Sequence, residues 1–283
     1  MQSSNPIFTR AEGFSGRDRA TGNTTYPGSG PQDTTYGDPS QWGTGTPGTH
    51  TTQVDQGRMT IDSVVQKTGI SMGIVVLVAA ATWALTGPVA DPDALPLLGT
   101  LSMVGALGAL ALSIVNSVKK VVSPALVLAF AALEGVFVGA FSKLIEGYFG
   151  DGLVVGAVLG TMGAVAGTLA VYKFFNIKVG TRFRMWVTGA MIGFVALSML
   201  DFVLHFFGNS FGFNGFGTMG LISSVVGLGL GVLMLILDFD FVERGIAAGL
   251  PERESWRAAF GLTVTIVWIY IEMLRILAIL RGD

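Results

Sequence analysis

The chain of 283 residues is 51% hydrophobic and only 13% charged, with 40 glycines and a net charge of −2. A mean hydropathy of +0.62 is too apolar for a soluble globule of this size, and no basic field marks nucleic acid as a partner. Cysteine is absent and histidine occurs twice, which removes disulfides, thiolate metal sites, cysteine nucleophiles and most zinc or triad chemistry. The composition is that of an integral membrane protein.

Residues 1–57 are rich in Gly, Thr, Ser, Pro, Asp and Gln. Such a segment buries too little apolar surface to offset its ordering entropy, so it is expected to be a disordered polar tail. It contains no apolar run of the kind a signal peptide carries. Its scattered aromatics, Phe8, Phe14, Tyr26, Tyr36 and Trp42, are docking points for a partner or simply parts of a solvated tail.

From residue 58 onward the chain is expected to form a seven-helix transmembrane domain. Apolar blocks of bilayer-spanning length follow one another at 70–87, 96–118, 124–142, 152–172, 186–207, 217–237 and 258–280. The breaks carry turn chemistry: Gly87-Pro88 and Asp91-Pro92 after the first block, Ser123-Pro124 before the third, and Asn214-Gly215 before the sixth. Pro251 suits the first turn of a helix leading into the seventh. Basic residues concentrate in alternate connections: Arg58 and Lys67, then Lys119 and Lys120, then Lys173, Lys178, Arg182 and Arg184, then Arg244 and Arg253. The positive-inside rule therefore predicts a cytoplasmic N-terminus. Lys143, Glu146 and Asp151 are expected in an outer loop.

Small residues form stripes suited to close helix packing. Gly156, Gly160, Gly163 and Gly167 share one face of the fourth block, and Gly227 and Gly231 one face of the sixth. The run GLGLG at 227–231 lies inside an apolar span with no strand before it, so it is not a phosphate loop.

Charges inside apolar spans are costly and mark candidate sites. Glu134 falls near the middle of the third block and reads as a proton or cation ligand, or as an acid tying helices together. Asp201 stands one turn before His205, an arrangement that binds a cation, senses pH or makes an interfacial hydrogen bond. Asp238 and Asp240 end the sixth block, where Arg244 is placed to pair with Asp240. Glu272 precedes Arg275 by three residues within the last block, so an i, i+3 salt bridge is available to it. No His-Glu-x-x-His motif and no Tyr-Asp and Gly-x-Gly-Asp pair occurs, so an enzyme is not expected.

Three stretches carry a family resemblance. LILDFDFVERGI at 235–246, IYIEMLRILAIL at 269–280 and AALEGVFVGAFS at 131–142 resemble the sixth, last and third helices of the Bax inhibitor-1/YccA family, in its bacterial branch with a polar N-terminal tail. The resemblance implies an all-α bundle of seven transmembrane helices with the last one central, in a bacterial plasma membrane. It also implies a pH-sensitive calcium leak in which acids on the sixth and seventh helices share a proton and gate the path. Carried over, those acids are Asp238, with Asp240 as the register alternative, and Glu272; the two also become candidate calcium ligands, with calcium as permeant or bound ion and no other cofactor. The basic latch falls at Lys119 or Lys120, with Glu134 and Arg275 as accessory groups. Counted from the span ends, Glu272 lies roughly 20 Å along its helix from residue 258, so it meets Asp238 only if that helix enters the membrane late or tilts strongly. The alternative function is a non-conducting regulator whose tail or loops bind a membrane partner such as a quality-control protease.

Overall fold

The computed structural model describes residues 57–91, 93–175 and 179–282. Of the expected tail at 1–57, residues 1–56 lie outside the described residues. Among these residues the chain forms seven helices: α1 (Ile61–Leu85), α2 (Ala94–Val118), α3 (Pro124–Phe149), α4 (Leu153–Phe174), α5 (Thr181–Phe206), α6 (Thr218–Ala247) and α7 (Glu254–Gly282). Each is long and apolar enough to cross a membrane. The seven expected spans are all present, and Pro124 occupies the first turn of α3 as its position before an apolar run predicts.

Several helices extend beyond their apolar blocks, and local pairing of polar and charged groups holds the extensions. α1 starts at Ile61, nine residues before its apolar block, because Thr60 caps it. The Thr60 hydroxyl accepts the Ser63 N–H, while Ser63 Oγ accepts the Thr60 N–H. Lys67 stays on this helix and donates to Glu252 Oε1 at 2.8 Å. α6 runs ten residues past its block, carrying Asp238 and Asp240 inside the helix. α3 likewise continues to Phe149, so Lys143 is not in a loop. It is buried, and its ammonium donates to the Trp83 and Thr86 carbonyls and to Thr86 Oγ1, satisfying the orphan end of α1. Pro251 is not in the first turn of a helix. It precedes α7 and forms an antiparallel bridge with Arg58, so residues 57–59 lie along the α6–α7 connection.

α7 is the axis of the bundle. It packs against α1, α3, α4 and α6, and fourteen of its 29 residues are buried; α5, at the other extreme, buries only Val187, Phe194 and Asp201. A helix surrounded on most sides needs small or apolar residues around its whole circumference. Ala258, Ala259, Leu262, Val267, Ile269, Leu274 and Ala278 supply them. Close backbone approach sets the α1–α3 contact: a Cβ on Gly139 would lie 2.5 Å from the Ala79 carbonyl oxygen. The α4 glycine stripe divides. A Cβ on Gly156 or Gly160 would meet Leu277 or Met273 of α7 at 3.1 and 2.9 Å, whereas Gly163 and Gly167 have open space above them. Half the stripe packs; the other half faces outward.

Candidate functional site

α6 and α7 run antiparallel, and their seam brings polar groups into the apolar bundle at two levels. At the first, Thr265 Oγ1 donates to Asp238 Oδ2 at 2.6 Å. A Cβ on Gly261, one turn before Thr265, would stand 3.3 Å from Asp238 Oδ1. The carboxylate is half-buried. Among the described residues no cation lies within ion-pair distance of it.

At the second level Glu272 is 4% exposed and sits against Gly227, where an added Cβ would lie 2.8 Å from Glu272 Oε1. The missing side chain at 227 makes room for the carboxylate. Trp268 Nε1 donates to the Gly227 carbonyl at 2.9 Å. Arg275, 7% exposed, donates from Nη1 to Glu272 Oε2 at 3.1 Å and from Nη2 to the Phe213 and Gly215 carbonyls at 3.0 and 3.3 Å. The expected i, i+3 bridge is formed. Beyond that expectation, Arg275 ties the seam to the α5–α6 connection.

The structure does not bring Asp238 and Glu272 together. Gly227 and Asp238, the α6 residues at the two levels, are eleven residues apart, about 16 Å of helix. Antiparallel packing places Glu272 beside the first and Thr265 beside the second. The two acids therefore share neither a proton nor an ion in this arrangement, which corrects the paired geometry. The calcium-ligand expectation meets the same obstacle: among the described residues no three His, Asp or Glu side chains converge. Asp240, the register alternative, is buried on another face of α6. It accepts from Arg184 at 2.7 Å and Arg244 at 2.9 Å, so it is a neutralised structural acid.

Glu134 belongs with the first level. Its i−3 and i+4 neighbours, Ala131 and Val138, pack with Val267 and Ile271 of α7, so it lies on the α7-facing side of α3. α3 and α7 are parallel. The Phe130 and Phe260 rings lie 5.0 Å apart, and Ser142 Oγ and Tyr270 Oη are 2.7 Å apart. Interpolating between these contacts puts Glu134 level with residues 262–264, the stretch that faces Asp238. Glu134 is half-buried, and among the described residues it has neither a hydrogen bond nor an ion pair.

The latch positions lie elsewhere. Lys119 caps α2 and lines a cavity with Glu252, Arg253 and Trp256, while the Lys120 carbonyl accepts from Arg257. Among the described residues neither lysine pairs with an acid. The reason is axial. A side chain starting at the end of α2 meets the first turns of α7, while Asp238 faces Gly261 and Thr265 farther along. Asp201 is buried and accepts the Phe211 and Asn214 N–H groups at 2.7 and 2.9 Å and the Ser210 hydroxyl at 3.3 Å. It organises the α5–α6 connection, and His205 is exposed without pairing to it. Thr265 went unremarked in the sequence, although a signal was present. Gly261, Thr265, Trp268 and Glu272 recur at helical spacing, a polar and small stripe on an otherwise apolar helix.

A family model described as Bax inhibitor 1 like matches residues 5–282. No curated protein matches the chain in sequence.

Proposed function

The chain belongs to the Bax inhibitor 1 like family, and on that premise we propose that it is a pH-sensitive cation leak of the cell membrane, gated by carboxylates set around α7, with calcium as the permeant ion. The observation that carries this reading is the level at which Asp238 and Glu134 stand on two sides of α7 with, among the described residues, no cation paired to either. Uncompensated acids inside a membrane span mark ion and proton pathways rather than packing. Hard oxygen ligands are also what calcium prefers.

The separation of Asp238 from Glu272 changes the form of the gate. The acids act in series along the α6–α7 seam instead of sharing one proton. At the first level protons and cations compete for Asp238 and Glu134, and Thr265 supplies the hydrogen bond that orients Asp238. At the second, Arg275 occupies Glu272 and blocks the seam until the bridge opens. A change in protonation at the first level alters the charge between α3, α6 and α7 and biases their packing.

Calcium entry into liposomes holding the purified full chain, at pH 6, 7 and 8, tests the reading. A flux that varies with pH is expected. Asp238→Asn weakens that variation, Glu272→Gln raises the flux by releasing Arg275, and the double variant combines both effects. No flux above empty liposomes at any pH, with the protein folded, would sink the leak and leave the non-conducting regulator as the better account.

A further inference from the structure

A cavity of about 550 Å³ opens where α1, α3 and α7 begin and α2 ends. That volume falls within the roughly 300–1,000 Å³ of small-molecule sites. Three cations line it, Lys67, Lys119 and Arg253, with Ser123, Trp256 and one acid, Glu252. Glu252 is already committed to Lys67, whose ammonium also donates to the Glu252 carbonyl at 3.1 Å and stands 5.7 Å from the Trp256 ring centre. Lys119 and Arg253 are exposed, and among the described residues neither forms an ion pair. The Ser123 hydroxyl makes no capping bond to α3. The cavity thus carries an excess of two positive charges, and among the described residues two of its cations and the Ser123 hydroxyl have no partner.

We infer that this cavity binds the phosphate group of an anionic phosphate ester, carried on a phospholipid headgroup. Its place in the fold favours the lipid as source. The ends of four membrane-spanning helices meet there, so it lies at the bilayer surface, where clustered Lys and Arg recognise anionic headgroups. Val121 on its rim is 55% exposed and Val118 beside it 77% exposed, an apolar edge suited to the start of an acyl chain. Trp256 has the amphipathic ring that settles at headgroup level. The inference stands apart from the leak reading, since no residue of either carboxylate level lines the cavity.

The test uses the full chain in a neutral detergent, titrated with dioctanoyl-phosphatidylglycerol, dioctanoyl-phosphatidylcholine or inorganic phosphate and read by native mass spectrometry. One phosphatidylglycerol per chain is expected, binding at least about tenfold more tightly than phosphatidylcholine. The Lys119→Gln/Arg253→Gln variant should weaken it roughly thirtyfold, about fivefold per charge. Lys173→Gln/Arg182→Gln, which removes the same charge elsewhere, should leave it unchanged. Both pairs have exposed side chains, and an unaltered melting temperature verifies their folding. Binding of inorganic phosphate as tight as that of the lipid, lost in the same variant, would uphold the phosphate site and assign it to a soluble anion. Equal binding of the two lipids, equal weakening by the two variants, or no binding of any probe would overturn the inference.

Discussion

Arg275→Met is the substitution that most directly measures what holds the inner seam. Glu272 and Arg275 have side chains only 5% and 8% exposed, joined at 3.1 Å. Removing the guanidinium leaves a buried carboxylate with no counter-charge, a loss of about 3–5 kcal/mol. It also strips the Phe213 and Gly215 carbonyls of their donor, which raises the total to roughly 4–6 kcal/mol. At about 2–4 °C per kcal/mol for a domain of this size, the melting temperature should fall by roughly 10–20 °C. Tryptophan emission on heating is a suitable readout, because Trp268 donates to the Gly227 carbonyl beside the pair and packs edge-on to Phe194. The Glu272→Gln/Arg275→Met chain still lacks the carbonyl bonds but no longer buries a lone charge, so it should regain at least about 2 kcal/mol over Arg275→Met. A loss below about 1 kcal/mol in the single variant, or a double variant no more stable than the single, would refute the argument that Arg275 neutralises Glu272.

Asp201→Ala should cost about 3 kcal/mol by leaving the Phe211 and Asn214 N–H groups unpaired; hydrogen exchange at those two amides should accelerate roughly a hundredfold while α3 amides are unchanged. Tyr270→Phe orphans the buried Ser142 hydroxyl, so thermal unfolding should show a loss of about 1–2 kcal/mol that adding Ser142→Ala largely restores. Gly139→Ala forces a methyl to 2.5 Å from the Ala79 carbonyl oxygen and should destabilise by about 1–3 kcal/mol. Gly163→Ala, with open space above it, should be neutral or stabilise by up to about 1 kcal/mol in the same melting experiment.

The helix count and the acids worth inspecting were legible because both are properties of single segments. An apolar run of about 20 residues has few fates other than a membrane span, and a carboxylate inside one is conspicuous wherever the helix ends up. The Glu272–Arg275 and Asp240–Arg244 bridges could also be read directly, since i, i+3 and i, i+4 spacing places their partners on one helix face. Helix ends were less legible. Lys67 and Lys143 look like loop residues until Glu252 and the α1 carbonyls are brought to them. The glycine stripe on α4 showed a shared face but not which half of it meets α7.

Which acids meet depends on the axial offset between helices, and no periodicity records an offset. Composition and patterning by themselves determined a membrane bundle of seven helices with carboxylates inside it, because hydrophobic length and the cost of buried charge act within each segment. Only the tertiary structure decided that Asp238 faces Thr265, that Glu134 shares its level, and that Glu272 lies about 16 Å farther along α6 in the keeping of Arg275. Sliding one helix past another by a few turns keeps every residue apolar or polar as before, yet it changes which side chains touch.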